Sequence, residues 1–409
     1  TYPAISAAWV ISNENFMKKA TVIDYLKLRA SYGTMGNRPS VLYPQYDLYS
    51  VSASYDGIPA TLISQVGNKD LTWEQTSTLG IGLDAAMFNN RLRFNFDYYN
   101  KYTTDVLYQT PVSGITGVTS RWQNVGEISN RGIELSIGGD IINTKDWTWS
   151  VEANLGHNVN TVEKLYGDDP NLEIIGGGGI GIAGEADKIL KVGYSSDAYY
   201  MIEWAGVNPD NGAPQWYKTA EDGSRVKTEN YSEADYIITE PSTPKVFGGF
   251  STSLRWKNID LAANFGYSIG GKIYNYSRQE YDSDGAYTDR NQMKLMDGWS
   301  RWEKPGDIAT HPVALYNNSS NSNKASTRYF EDNDFLKLRS LNIGYNLQLP
   351  DYHIQNLRIF FSGENLFTVT GYSGVDPELP ASDGSVIGSA GPSVYPSTRK
   401  FMFGLNVTF

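Results

Sequence analysis

The chain has 409 residues, a formal net charge of −11 and no cysteine, with 40 Gly, 29 Tyr, 15 Phe and 10 Trp. The missing cysteines exclude disulfide frameworks, zinc–thiolate sites, Fe–S clusters and cysteine nucleophiles, and three dispersed histidines, His157, His311 and His353, offer little to a metal. The acidic balance argues against a nucleic-acid binder, and no run approaches the roughly 18 apolar residues of a membrane helix. Thr1-Tyr2-Pro3 already lies inside patterned sequence, so further chain is expected upstream.

Period-two alternation dominates and predicts about eleven strands. In chain order they are Pro3–Ser12, Leu26–Thr34, Trp73–Phe88, Arg91–Pro111, Trp122–Ile142, Trp147–Leu165, Lys245–Trp256, Ile259–Arg278, Phe335–Leu349, Leu357–Thr370 and Lys400–Phe409. The fourth shows the pattern: Leu92, Phe94, Phe96 and Tyr98 on one face, Arg91, Arg93, Asn95 and Asp97 on the other. Most segments exceed the roughly 5–6 residues of a soluble strand and reach the roughly 9–11 needed to cross a bilayer at a tilt. Such faces suit either a wet-faced soluble sheet or a transmembrane barrel with a polar lumen.

The connections favour the barrel. Turns such as Asn89-Asn90, Asn143–Asp146, Lys257-Asn258 and Pro350–Asn356 are short, and those between them, Gly33–Thr72, Tyr166–Pro244, Gln279–Asp334 and Gly371–Arg399, are long. Short periplasmic turns alternating with long extracellular loops are the outer-membrane pattern. The turn Asn13–Tyr25 is longer than its class and has room for a helical turn. An odd number of crossings cannot close a bacterial barrel alone, because single-chain barrels have even strand numbers. Ala198–Trp204 with Pro214–Lys218 reads as a hairpin, placed in a loop above the membrane. Whether Ala198–Lys218 crosses the membrane is left open by the pattern. At the C-terminus Phe401, Phe403, Leu405, Val407 and Phe409 alternate and end on Phe, as an outer-membrane assembly signal does; given the loop pattern this reading is preferred to a buried last strand of a soluble sheet.

Several motifs point elsewhere and are set against bland alternatives. Gly179-Ile180-Gly181-Ile182-Ala183-Gly184 spells a dinucleotide fingerprint, with a short helix expected over Glu185–Val192. The neighbouring β pattern supplies no βαβ unit, so a glycine-rich loop tip is preferred. Asp168-Asp169, Asp282/Asp284 and Glu331-Asp332/Asp334 are paired carboxylates in loops, read as solvated charge rather than glycosidase or calcium sites. Asn158 and Asn160 follow His157 with no nucleophile near. Trp299 and Trp302 are the candidate substrate-binding residues, since Trp among Asp, Asn and Arg suits sugar or peptide recognition; loop self-packing is the alternative. Tyr98, Tyr99, Tyr102, Trp147 and Tyr345 fit interfacial girdles. No catalytic group, metal or cofactor is expected.

Five segments carry a family resemblance. They are Leu26–Gly33 followed by Gly36-Asn37; Asn124–Leu135; Arg301-Trp302 with Lys304–Asp307; Phe335–Leu341 through Tyr345; and Asn365–Tyr372 with Gly374 and Asp376–Glu378. In this order they resemble the SusC/RagA-type TonB-dependent outer-membrane transporters. The resemblance implies an all-β transmembrane antiparallel barrel, of which residues 1–409 are the C-terminal half: about eleven strands of roughly 22. The plug domain, the TonB-contacting segment and the N-terminal strands are expected upstream. It further implies import of oligosaccharides, or peptides, across the outer membrane of a Gram-negative bacterium, without catalysis. The implied partners are a SusD-like surface lipoprotein as lid, the TonB complex through the missing N-terminal part, and outer-membrane lipid, with a dimer of the transporter–lipoprotein pair compatible. A classical siderophore or cobalamin receptor, or a surface β-rich adhesin or lectin, are the other readings.

Overall fold

A computed structural model describes the chain except for residues 1, 40, 168, 170, 176–181, 184, 185, 290, 350–352, 379–388 and 391–394. Its frame is one antiparallel sheet of eleven strands, each paired with its neighbours in sequence. The strands are β1 (Ala4–Val10), β2 (Ile23–Asn37), β3 (Glu74–Met87), β4 (Leu92–Thr104), β5 (Glu127–Asn143), β6 (Trp147–Lys164), β7 (Val246–Trp256), β8 (Ile259–Ile269), β9 (Phe335–Leu349), β10 (Ile354–Thr370) and β11 (Lys400–Thr408). They match the eleven segments expected from alternation.

Register carries the apolar residues across the sheet in rows. One runs Trp9–Leu28–Leu83–Phe96–Leu135–Leu155 through β1 to β6. Another runs Trp149–Leu254–Leu261–Ile343–Phe361–Phe403 through β6 to β11. A side-chain period of two forces the opposite face to be the polar one. Among the described residues no layer packs on the apolar face: Ile343 and Ile359 in mid-sheet are 39% and 45% exposed. Buried hydrophobic clusters instead form beyond the sheet, around Tyr199, Met201, Tyr274 and Tyr329. An uncovered apolar band with a polar reverse face is the architecture of a barrel wall.

Left-handed backbone ends several strands earlier than alternation suggests. Asp105 (φ +56°) closes β4, so Leu107–Pro111 leaves the wall and pairs with Ser120–Asn124 in a separate hairpin. Gly126 (φ +91°) separates that hairpin from β5, and Gly270 (φ +74°) stops β8, leaving Lys272–Asn275 and the helix Tyr276–Tyr281 to the loop. Glycine and, less readily, Asp tolerate φ > 0. The turn before β2 holds two 3-10 turns, Ile11–Asn13 and Asn15–Met17.

The long loops fold into small sheets. Leu48–Tyr55 pairs with Ile58–Gln65. Ala198–Ile202 pairs with Tyr236–Pro241 and Ala186–Lys191, so its partner is not Pro214–Lys218. Pro214–Thr219 pairs instead with Trp204–Val207 and Arg225–Thr228. Both arms lie outside the eleven-stranded wall. Ala186–Lys191 is a strand where a helix was expected: it pairs on both sides, with Glu173–Ile175 and with Ala198–Ile202, and its Ile189 is fully buried. Most of Gly179–Gly184 and Asp168 lie outside the described residues, Ile182–Ala183 being a two-residue strand.

Candidate functional site

On the polar face arginines lie across glycines and bridge neighbouring strands. Arg29 on β2 donates to Asp84 at 2.8 Å and reaches Asp97, two strands away, at 3.1 Å. It can do so because Gly82 lies beneath it: a Cβ there would sit 2.6 Å from the guanidinium carbon. The same device recurs at Gly344, beneath Arg358, which pairs with Asp260 at 2.6 Å. Charged hydrogen bonds across three strands fix guanidinium geometry. Arg93 lies between Asp140 (3.6 Å) and Glu152 (3.4 Å). Around Arg93 the wall forms an open recess of about 320 Å³, lined by Tyr25, Asp84, Asn95, Glu152 and Asn154. Tyr99 belongs to this face too, donating to Asn158 at 3.0 Å, so it is not part of an interfacial girdle. Trp147 does sit at the periplasmic end, stacked on Trp256 at 5.4 Å.

Above the wall, loop 270–334 is organised by buried charge. Asp282 and Asp284 are 1% and 0% exposed, so neither is solvated. Arg328 forks between them, and Asp284 also accepts from Arg301 at 2.6 Å and Ser322 at 2.6 Å. Asp282 accepts from His311 Nε2 at 2.9 Å and Arg278 Nε at 3.2 Å. Arg278 continues to Glu331 at 2.9 Å. Burial alone would raise the Asp282 carboxyl; the His311 hydrogen bond and the charges of Arg328 and Arg278 outweigh it and hold it below the usual carboxylate range. Three carboxylates meet three guanidinium groups, the condition under which charge can be buried. Carboxylates so neutralised are poor general acids or bases.

The Arg301–Asp307 motif is an anchor between loops. Arg301 holds Asp284 and the Pro312 carbonyl (2.8 Å). Trp302 donates to the Pro209 carbonyl at 2.9 Å and covers Gly212, where a Cβ would sit 2.4 Å from its ring. Asp307 caps the turn by accepting from the backbone N–H of Glu303 and Lys304, and Gly306 (φ +93°) donates to Pro209. Trp299 packs beside His311 (4.9 Å) under the Arg278 guanidinium (4.3 Å). Both tryptophans are half-buried, 299 toward the ion cluster and 302 toward loop 165–245. Further ties are Trp204 N–H to Thr327 Oγ1 (2.9 Å), Tyr231 OH to the Ala325 carbonyl (2.8 Å) and Ser373 to Glu331 (2.7 Å).

The last loop is fastened to the wall through residues that alternation could only mark as polar. Lys337, 3% exposed, donates to Asp376 at 3.0 Å and Glu378 at 2.9 Å, and Arg339 also binds Glu378. A basic pair on one strand and an Asp-Pro-Glu some forty residues later are each visible in the sequence, but nothing local says that they meet. Phe401, Phe403, Leu405 and Val407 share the outward face of the edge strand β11, and Phe409 follows its end.

Residues 1–185 match the family model for the TonB dependent receptor-like β-barrel. The chain is similar over its whole length to TonB-dependent receptor P3 of Formosa agariphila (32% identity) and to TonB-dependent receptor SusC of Bacteroides thetaiotaomicron (27%). It spans 42% and 40% of those two proteins. The structure of the RagAB peptide transporter superposes on all of this chain with a TM-score of 0.84 at 28% identity, 43% of that transporter chain being covered. The "open-open" RagAB structure gives 0.81. With an uncovered apolar band, an arginine-braced polar wall and loops on one rim, the chain matches part of the TonB-dependent receptor β-barrels of the Gram-negative outer membrane and is similar to those of the SusC/RagA type.

Proposed function

We propose that this chain is part of a transporter that imports oligosaccharides, or peptides, with a SusD-like surface lipoprotein as its lid and TonB as its energy source. The carrying observation is the likeness to SusC and to the RagAB peptide transporter, joined to a wall whose polar face offers hydrogen bonds. The arginine-braced wall lines the conduit, and the interlocked loops hold ligand and lid. Trp299 and Trp302 remain the proposed ligand contacts, each offering the part of its ring not engaged within the loops. In a strain where the complete gene and its neighbouring lipoprotein gene are tagged, the lipoprotein is expected to copurify, and deleting either gene to abolish growth on one glycan or peptide source. W299A/W302A should lower uptake of that source by about ten-fold, the scale of losing one aromatic stack. Growth on every source without either gene would refute the import role; unchanged uptake in the double variant would retire the tryptophans alone.

Phe401, Phe403, Leu405, Val407 and Phe409 are proposed as the assembly signal of the outer membrane. Deleting Phe409 should cut the outer-membrane content of folded barrel several-fold, by immunoblot of sucrose-gradient fractions. Undiminished content would assign the segment to wall packing only.

A further inference from the structure

The periplasmic rim carries a pattern that neither substrate nor lid accounts for. The turns joining β1 to β2, β3 to β4, β5 to β6, β7 to β8 and β9 to β10 hold five basic residues, Lys18, Lys19, Arg91, Lys145 and Lys257, against three acidic ones, Glu14, Asp146 and Asp351. These turns are thus net positive in a chain of net charge −11, and remain so when Asp24, which accepts from the Asn90 N–H, is counted with them. Arg91 is spent on the carbonyls of Asp140 and Ile141. Lys18, Lys19, Lys145 and Lys257 are exposed and, among the described residues, form no ion pair.

Two of these turns adjoin an outward aromatic pair, and Lys18 and Lys19 follow Phe16 closely in sequence as Lys257 follows Trp256. Trp9 meets Phe16 edge to face at 6.4 Å, and Phe16 is 65% exposed although it lies in a turn. Trp9 Nε1 also holds Glu14 at 2.9 Å, which occupies the one carboxylate of that turn. Trp147 stacks on Trp256, with Lys257 Nζ 6.0 Å from the Trp256 ring. Lys257 sits at φ +51°, a conformation that Gly or Asn adopts more easily; a strained lysine there points to a use for its charge. Trp9 and Trp256 extend the lipid-facing rows, so the aromatic pairs continue an interface already made with membrane. Aromatic rings at headgroup level with cations just beyond them are a phospholipid-binding chemistry.

We propose that this rim, through Lys18, Lys19 and Lys257 beside Trp9–Phe16 and Trp147–Trp256, binds anionic phospholipid head groups of the inner leaflet of the outer membrane. The inference stands on the barrel and its orientation, not on the import reading. The test is native mass spectrometry of the complete transporter released from mixed micelles holding equal phosphatidylglycerol and phosphatidylcholine. Wild type is expected to retain phosphatidylglycerol in several-fold preference. K18Q/K19Q/K257Q should lower that retention about ten-fold, and the extracellular K227Q should leave it unchanged. F16A should also lower it, because the acyl-chain side of the site is reduced. Equal retention of both lipids by wild type overturns the proposal, and that arm needs no variant to fold. Undiminished phosphatidylglycerol on a heat-modifiable triple variant overturns it too, as does an equal loss in K227Q. So does a periplasmic protein that copurifies with wild type and is lost from the triple variant while phosphatidylglycerol stays.

Discussion

An Arg328→Met variant is expected to lose the fold of its extracellular loops while keeping its barrel. Arg328 is the group that lies between Asp282 and Asp284, donating to both, and all three are buried. Methionine preserves much of the volume and removes the charge. Asp284 would then keep Arg301 and Ser322, and Asp282 would keep His311 and Arg278, leaving a net negative charge where water does not reach. Breaking a buried ion cluster in this way costs about 3–5 kcal/mol, and the loop is expected to be the part that opens, since local openings cost less than unfolding the wall. The check is limited proteolysis of the intact transporter: cleavage within 270–334 and 165–245 should become at least a hundred-fold faster, an estimate of that cost as a population, while heat-modifiable mobility is kept. Arg328→Lys should fall between, since an ammonium cannot fork to two carboxylates. Unchanged protease resistance in the methionine variant would show that the loops do not depend on this charge.

Two neighbouring substitutions on β9 are expected to differ sharply. Ile343→Arg places a cation in the row that Leu261 and Phe361 continue on either side, in mid-sheet on the lipid face. Such a charge costs about 2–4 kcal/mol near the bilayer midplane. Asn342→Arg, one residue away, points to the polar face between Ala262 and Ser362 and should cost far less. Urea titration of the complete barrel in liposomes, read by heat modifiability, separates them: the midpoint falls for Ile343→Arg and hardly moves for Asn342→Arg. Equal midpoints would mean that this face does not touch lipid.

Which parts of this structure were legible in the sequence follows from the range of the forces involved. Alternation along one strand records the two solvents on its two sides, so the faces of Leu92–Thr104 or Trp147–Lys164 can be read without knowing any partner. Strand ends at Asp105, Gly126 and Gly270 depend on backbone dihedrals, which residue type only biases. Pairing inside the loops is less legible still. Ala198–Ile202 alternates as well with Pro214–Lys218 as with Tyr236–Pro241; what selects the latter is the burial of Tyr199 and Met201 against Tyr274, Ala325 and Tyr329 from another loop. Asp282 and Asp284 look solvated among Ser and Gly because their partners, His311 and Arg328, arrive from 29 and 44 residues downstream. The Arg301–Asp307 motif was visible as a resemblance, but its work, clasping Pro209 and Gly212, was not.

The clasping of segments 204–212, 301–331 and 373–378, from three different loops, has a consequence for how such a barrel can diversify. Half of each fastening belongs to a different loop: Trp302 needs Pro209, Thr327 needs Trp204, Glu331 needs Ser373, and Lys337 on the wall needs Asp376. A single loop transplanted from a cousin would bring plugs without sockets. Exchange of the whole crown with its β9 footing would keep every fastening, whereas the turn at 220–224, where the hairpin closes on itself, could change alone.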